Sequence, residues 1–249
     1  MRADVEMGMI AHLRGDTISR PSKALAALAR SATSSNVVRW SLGSVAANGI
    51  ALARFRSLEG AMAKTLHGKR VAILVENGFE QSELAEPRKA LDQAGAETIV
   101  VSPVKDLVKG WKGGNWGEDV KVDLPLEGAR AEDFDALLLP GGVINPDKLR
   151  MNEKAVALVK AFYDTKKPIA AICHGPWTLI EAGVVRGKRM TAWPSVRTDL
   201  RNAGALVEDA EVVTDQGIVT SRKPADIPAF SQKMIEEFAE GKHDKRKAA

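Results

Sequence analysis

From Arg70 the chain alternates short apolar runs with stretches whose apolar residues recur every three or four positions. Such alternation is the signature of a mostly parallel sheet covered by helices on both faces. The pattern predicts strands at Val71–Val75, Thr98–Ser102, Asp135–Leu139 and Pro168–Ile172, with two shorter ones at Glu211–Thr214 and Ile218–Thr220. It places a helix from a Ser82 cap to Ala94, stopped by Gly95, and a long amphipathic helix at Glu153–Lys166. Further helices are expected at Pro194–Asn202 and Ile227–Ala239, and Val120–Val122 falls in an irregular hairpin region around Trp111 and Trp116. The fold class is therefore α/β, a flavodoxin-like, doubly wound, three-layer arrangement, and no internal repeat interrupts it.

In such sheets ligands bind beyond the carboxyl ends of the strands. Three of these ends carry suggestive residues: the loop after Val75, Gly141-Gly142 after Leu139, and Cys173 after Ile172. Cys173 is the only cysteine of the chain, and it stands where an apolar run stops in Ala-Ala-Ile-Cys-His-Gly-Pro-Trp. A lone cysteine among apolar residues is ordinarily a small buried hydrophobe. Here Gly175 permits a tight turn and Pro176 suits the first turn of a helix, so the context is that of a strand-to-helix elbow. A thiol at an elbow sits on strained backbone at the positive end of a helix, which favours thiolate.

Composition divides the 249 residues by charge. Residues 1–66 carry 9 Lys and Arg against 4 Asp and Glu, and residues 241–249 carry 4 against 1, leaving 23 against 27 between them. The net charge of +4 thus belongs to the ends, and it gives the central segment, 67–240, no nucleic-acid footprint. The acid-free stretch between Asp16 and Glu59 reads as a dispensable upstream extension, as a transit-like leader, or as a helical appendage built on Ser22–Arg30. The segment from Gly241 reads as a solvated, frayed basic tail. No run of 18 apolar residues occurs, and a single free thiol suits a reducing, cytoplasmic compartment, or an organelle if the leader is real.

Several motifs resemble the PfpI intracellular-protease family, in the superfamily of the parkinsonism-associated deglycase and with a class I glutamine amidotransferase-like fold. They are Val-Glu-Asn-Gly-Phe-Glu-Gln-Ser-Glu-Leu at 75–84, Leu-Leu-Pro-Gly-Gly at 138–142, Asn-Pro-Asp-Lys-Leu-Arg at 145–150, Ala-Ile-Cys-His-Gly-Pro at 171–176 and Thr-Asp-Leu-Arg-Asn-Ala-Gly-Ala at 198–205. The resemblance covers roughly 69–240 and implies that Cys173 is the nucleophile, with His174 beside it. It implies a carboxyl near the sulfur at Glu83, with Glu80 close by. Buried beside a thiolate, that carboxyl is expected to stay protonated, although an acid in a first helical turn is also a plain partner of the dipole. The resemblance further implies an acid that orients the histidine from a neighbouring subunit, and this acid falls at Asp147. Gly141 and Gly142 are candidate oxyanion donors, or simply a turn, and Trp111 and Trp193 are candidates for the pocket mouth.

Of the four histidines, His12, His67, His174 and His243, none supplies the downstream member of an amidotransferase triad. Two readings follow. In the first, the chain is a cysteine-dependent hydrolase acting on a small carbonyl compound or a peptide, as a homodimer or higher oligomer, without cofactor, metal, nucleic acid or membrane. In the second, Cys173 is a redox sensor, or the surface a holdase, with little turnover.

Overall fold

The computed structural model describes residues 65–244. Residues 1–64 of the proposed extension, with its Ser22–Arg30 helix and His12, lie outside the described residues, as does the end of the basic tail, whereas Leu66 is fully buried in the core and its N donates to Ala94 O at 2.9 Å. Seven strands form the main sheet, in the order β11-β12-β8-β7-β1-β3-β6. They are β1 (Arg70–Leu74), β3 (Glu97–Ser102), β6 (Leu124–Pro125), β7 (Ala136–Leu139), β8 (Ile169–Ile172), β11 (Val212–Asp215) and β12 (Ile218–Ser221). All neighbours pair in parallel except β11 with β12.

Alternation along β1 sorts its side chains to two cores. Ala72 and Leu74 face one core with Leu137, Leu139 and Phe162, whereas Val71 and Ile73 face another with Leu138, Phe230 and Met234. The first face is covered by α2 (Ile144–Arg150), α3 (Glu153–Asp164), α4 (Pro176–Glu181) and α5 (Arg197–Asn202). The second is covered by α1 (Gln81–Gln93) and α6 (Ile227–Glu240). The result is the three-layer α/β/α sandwich that the apolar pattern implies.

Four local expectations need correction. Helix α1 starts at Gln81, and Ser82 lies inside it, its hydroxyl donating to Glu80 Oε1 at 3.2 Å rather than capping. The hairpin region is a full three-stranded sheet of β2 (Phe79–Glu80), β4 (Leu107–Lys112) and β5 (Asn115–Lys121). Pro194–Val196 forms a 3-10 turn and only then α5. The tail, expected to fray from Gly241, is tied down as far as Asp244: His243 N donates to Lys166 O at 2.9 Å, and Lys166 Nζ donates to Asp244 O at 2.7 Å. The remaining short strands, β9 (Arg189–Met190) and β10 (Leu206–Val207), make a separate parallel pair.

Candidate active site

The carboxyl ends of β1, β7 and β8 meet at Cys173. Its φ is +61°, left-handed backbone that costs a non-glycine residue on the order of 1–3 kcal/mol. The flanks hold it there: Cys173 N donates to Ser221 O at 3.0 Å, Trp193 N to Cys173 O at 3.0 Å, and Gly175 N to Ile172 O at 2.8 Å. Gly175 is obligatory because a Cβ there would lie 2.6 Å from Leu139 O. Pro176 opens α4, where its missing N–H costs nothing.

Glu83 reaches the sulfur from the first turn of α1. It is fully buried, and its Oε2 accepts from Gly141 N at 3.0 Å. Burial, with the nearby Glu80 charge adding to it, pushes its pKa up to about 8, against the bonds from Cys173, Gly141 and Gly142. The carboxyl is therefore protonated at neutral pH and serves as a donor. Burial also pushes the Cys173 thiol up, and an ionised Glu83 would push it further, while the amides of Gly142 and His174 draw the other way. The expectation of a thiolate favoured by strained backbone and a helix terminus is thus corrected, because at 6% exposure burial is the largest influence on the thiol and works against its ionisation. Glu83 and Cys173 form one acid pair whose first ionisation leaves a single negative charge to share.

His174 Nδ1 lies 3.2 Å from Cys173 Sγ. Burial lowers its pKa, so the ring is neutral and has a lone pair for the thiol proton. The imidazole sits 5.0 Å from the Trp177 ring, edge-on, and 5.8 Å from the Trp193 ring, stacked. Its Nε2 meets Ser195 Oγ at 3.4 Å, a contact across 21 residues that the sequence pattern did not single out.

The remaining expected residues are placed as follows. Glu80, Trp111, Val143, Trp193 and Pro224 line a pocket of about 250 Å³ that opens on Cys173, His174 and Gly142. Gly141 does not offer a free amide to an oxyanion, since Glu83 takes it; the Gly142 amide is shared between Glu83 and the sulfur, and the His174 amide is directed at the sulfur. No side chain fits at Gly141, where a Cβ would lie 2.5 Å from Glu83 Oε2 and 2.7 Å from Cys173 Cβ. Asn145, also missed as a site residue, ties the loops together: Oδ1 accepts from Glu76 N at 2.7 Å, and Nδ2 donates to Pro140 O at 2.8 Å and Gly141 O at 3.1 Å.

Asp147 is not part of this pocket. It is exposed on α2 and lines a groove of about 730 Å³ with Arg150, Met151, Val156, Lys160 and Glu181. His67 is exposed, and His243 pairs with Glu237 at 3.3 Å. Glu237, Glu240 and His243 bring ligand atoms within 4.8 Å of one another at the end of α6, and among the described residues this is the group able to hold a metal. None of the three lines the Cys173 pocket. Nor is any described helix long and apolar enough to cross a membrane.

Residues 69–237 match the DJ-1/PfpI family. The chain is 45% identical over 169 residues to general stress protein 18 of Bacillus subtilis, covering 68% of this chain and 96% of that protein. It is 42% identical over 166 residues to a protein of Pyrococcus horikoshii named a deglycase, covering 67% of this chain and 97% of that one. A solved two-domain protein of Anabaena variabilis, with DJ-1/ThiJ/PfpI-like and ferritin-like domains, superposes with a TM-score of 0.65 at 34% identity. That match covers 72% of this chain and 52% of the two-domain protein.

Proposed function

The chain belongs to the DJ-1/PfpI family, and from that premise we propose that it is a cysteine-dependent hydrolase of electrophilic carbonyls. One observation carries the reading: a thiol on strained backbone lies 3.2 Å from a neutral imidazole nitrogen and beside a buried, protonated carboxyl.

With an ester or peptide, His174 Nδ1 takes the thiol proton as Sγ attacks the acyl carbon. The oxyanion forms toward the Gly142 and His174 amides, and the neutral Glu83 adds a donor. Collapse expels the alcohol or amine with the proton from His174 and leaves a thioester. Water, deprotonated by His174, then releases the acid and restores the thiol. With an α-oxoaldehyde, Sγ adds to the aldehyde carbon to give a hemithioacetal; with its early amine adduct, Sγ displaces the amine to reach the same species. A proton shift from that carbon to the neighbouring carbonyl group gives the thioester of a 2-hydroxy acid, oxidising one carbon as it reduces the other. Hydrolysis frees the acid.

In the same reading the working form is a homodimer or larger oligomer in a reducing compartment such as the cytoplasm, and Asp147 of one chain orients His174 of another. A sensor reading draws on Glu83 alone, since a protonated carboxyl can also hydrogen-bond a sulfinate. Intact-mass analysis after methylglyoxal, a peptide chloromethyl ketone or peroxide separates the two. The hydrolase reading expects fast labelling of Cys173 by a carbonyl or acyl reagent and loss of turnover in Cys173→Ala. Turnover that survives Cys173→Ala, or peroxide outpacing both carbon electrophiles, would overturn it.

A further inference from the structure

The pocket at Cys173 has a one-sided charge. Its apolar walls are the indoles of Trp111 and Trp193, with Val143 and Pro224, and its ionisable lining consists of Glu80, Glu83, Cys173 and His174. Among the described residues no lysine or arginine lines it. Lys112 and Lys223, the sequence neighbours of Trp111 and Pro224, are exposed and outside the lining, and Arg222 is committed to Asp209 and Asp226. Glu83 and His174 are both held neutral by burial. Within one chain, that leaves Glu80 as the group that sets the sign of the field.

Glu80 is half-buried, and its carboxylate accepts from the Ser82 hydroxyl at 3.2 Å. Among the described residues it forms no ion pair with a lysine, arginine or histidine. A carboxylate with no counter-ion among the described residues, lining a small cavity together with two indoles, is complementary to a cation: indoles attract positive charge and the low-dielectric walls strengthen the attraction. The same arrangement disfavours an anion, which would meet Glu80 and find no partner.

We propose that Glu80, Trp111 and Trp193 form a subsite for an ammonium or guanidinium group attached to the carbonyl that Cys173 attacks. The proposal rests on the reading of Cys173 as the reacting thiol and narrows its substrates to cationic carbonyl compounds, with neutral ones second and anionic ones excluded. Glu80 is then a specificity-determining residue, separate from the proton chemistry of Glu83 and His174.

Because Cys173 is the only cysteine, the subsite can be probed without turnover. Trimethylammonioethyl, methyl and sulfonatoethyl methanethiosulfonates transfer the same kind of sulfur to a thiol while carrying positive, no and negative charge. Their rates, followed by intact mass, are divided by those of the same chain unfolded in urea. The folded chain is expected to favour the cationic reagent over the anionic one by about tenfold or more. Glu80→Gln should bring that ratio to within about twofold, and Trp193→Leu should lower the cationic-to-neutral ratio even if the Glu80 variant fails to fold. A folded-chain ratio equal to the unfolded one, or one that survives Glu80→Gln in a folded protein, would overturn the subsite.

Turnover of Nα-acyl esters of lysine, arginine, norleucine and glutamate then tests the substrate claim. Lysine ahead of arginine assigns an ammonium and the reverse a guanidinium, while norleucine equal to both would overturn it. Esters and α-oxoaldehydes both untouched by the chain, together with a retained labelling ratio, would sink the hydrolase reading and leave the subsite standing.

Discussion

Glu83 spends its working life uncharged, and this has a cost that pH can reveal. Its carboxyl is raised from 4.5 to about 8 by burial, so the folded chain holds this proton more tightly than the unfolded one. The stabilisation is complete below about pH 4.5 and is lost as pH rises through the folded value near 8, with a slope of up to about 1.4 kcal/mol per pH unit. Urea unfolding midpoints between pH 5 and 8 should fall for the wild type and stay flatter for Glu83→Gln. Equal slopes would show that Glu83 is ionised in the folded chain. At this scale the sequence was informative where the determinant is local. Apolar strand, Cys173, glycine and proline follow one another, and the left-handed elbow results. It left Gly141 open between an oxyanion donor and a turn, because whether an amide is free depends on a carboxyl 58 residues away.

Two asparagines close to each other in sequence do different jobs. Asn152 caps α3, accepting from Lys154 N at 3.0 Å and Ala155 N at 3.2 Å, whereas the fully buried Asn145 of α2 bonds the backbone of two loops that meet at the pocket. Asn152→Ala should cost about 1 kcal/mol and leave kcat alone. Asn145→Ala should cost about 1–3 kcal/mol by orphaning buried backbone groups and should also lower kcat, since the Gly141–Gly142 loop loses its anchor. Denaturant midpoints and turnover on both variants check this, and an Asn145→Ala enzyme with unimpaired kcat would make the residue purely structural. Strongly periodic elements such as α3 and α6 were readable in advance. Helix α2 was not, because it spans 7 residues and carries Pro146 in its first turn. The β4–β5 ribbon was legible only as an irregular hairpin around Trp111 and Trp116, because exposed, charged residues interrupt its alternation.

For the whole molecule, the separation of Asp147 from His174 within one chain gives the oligomer proposal its test. The groove that holds Asp147 also bears Met151, which is 72% exposed. If a second copy brings this acid to His174, Cys173→Ala and Asp147→Asn chains, each inactive alone, should recover about a quarter of the wild-type sites after random exchange into dimers. No recovery after verified exchange would place the acid outside catalysis. Fold class was readable at this scale because patterning alone dictates a covered parallel sheet. The groove was not, since it assembles from three helices whose approach no local signal encodes.

The ring contacts of His174 give the site an optical readout. Trp177 and Trp193 flank the imidazole at 5.0 and 5.8 Å, and a protonated imidazolium quenches an excited indole by accepting an electron from it. Intrinsic fluorescence should therefore dim on acidification, with a midpoint below 6.5 because burial disfavours the charged ring. His174→Phe should abolish the step, and a ligand that seals the pocket should move the midpoint still lower, so that occupancy of a colourless site becomes visible as light.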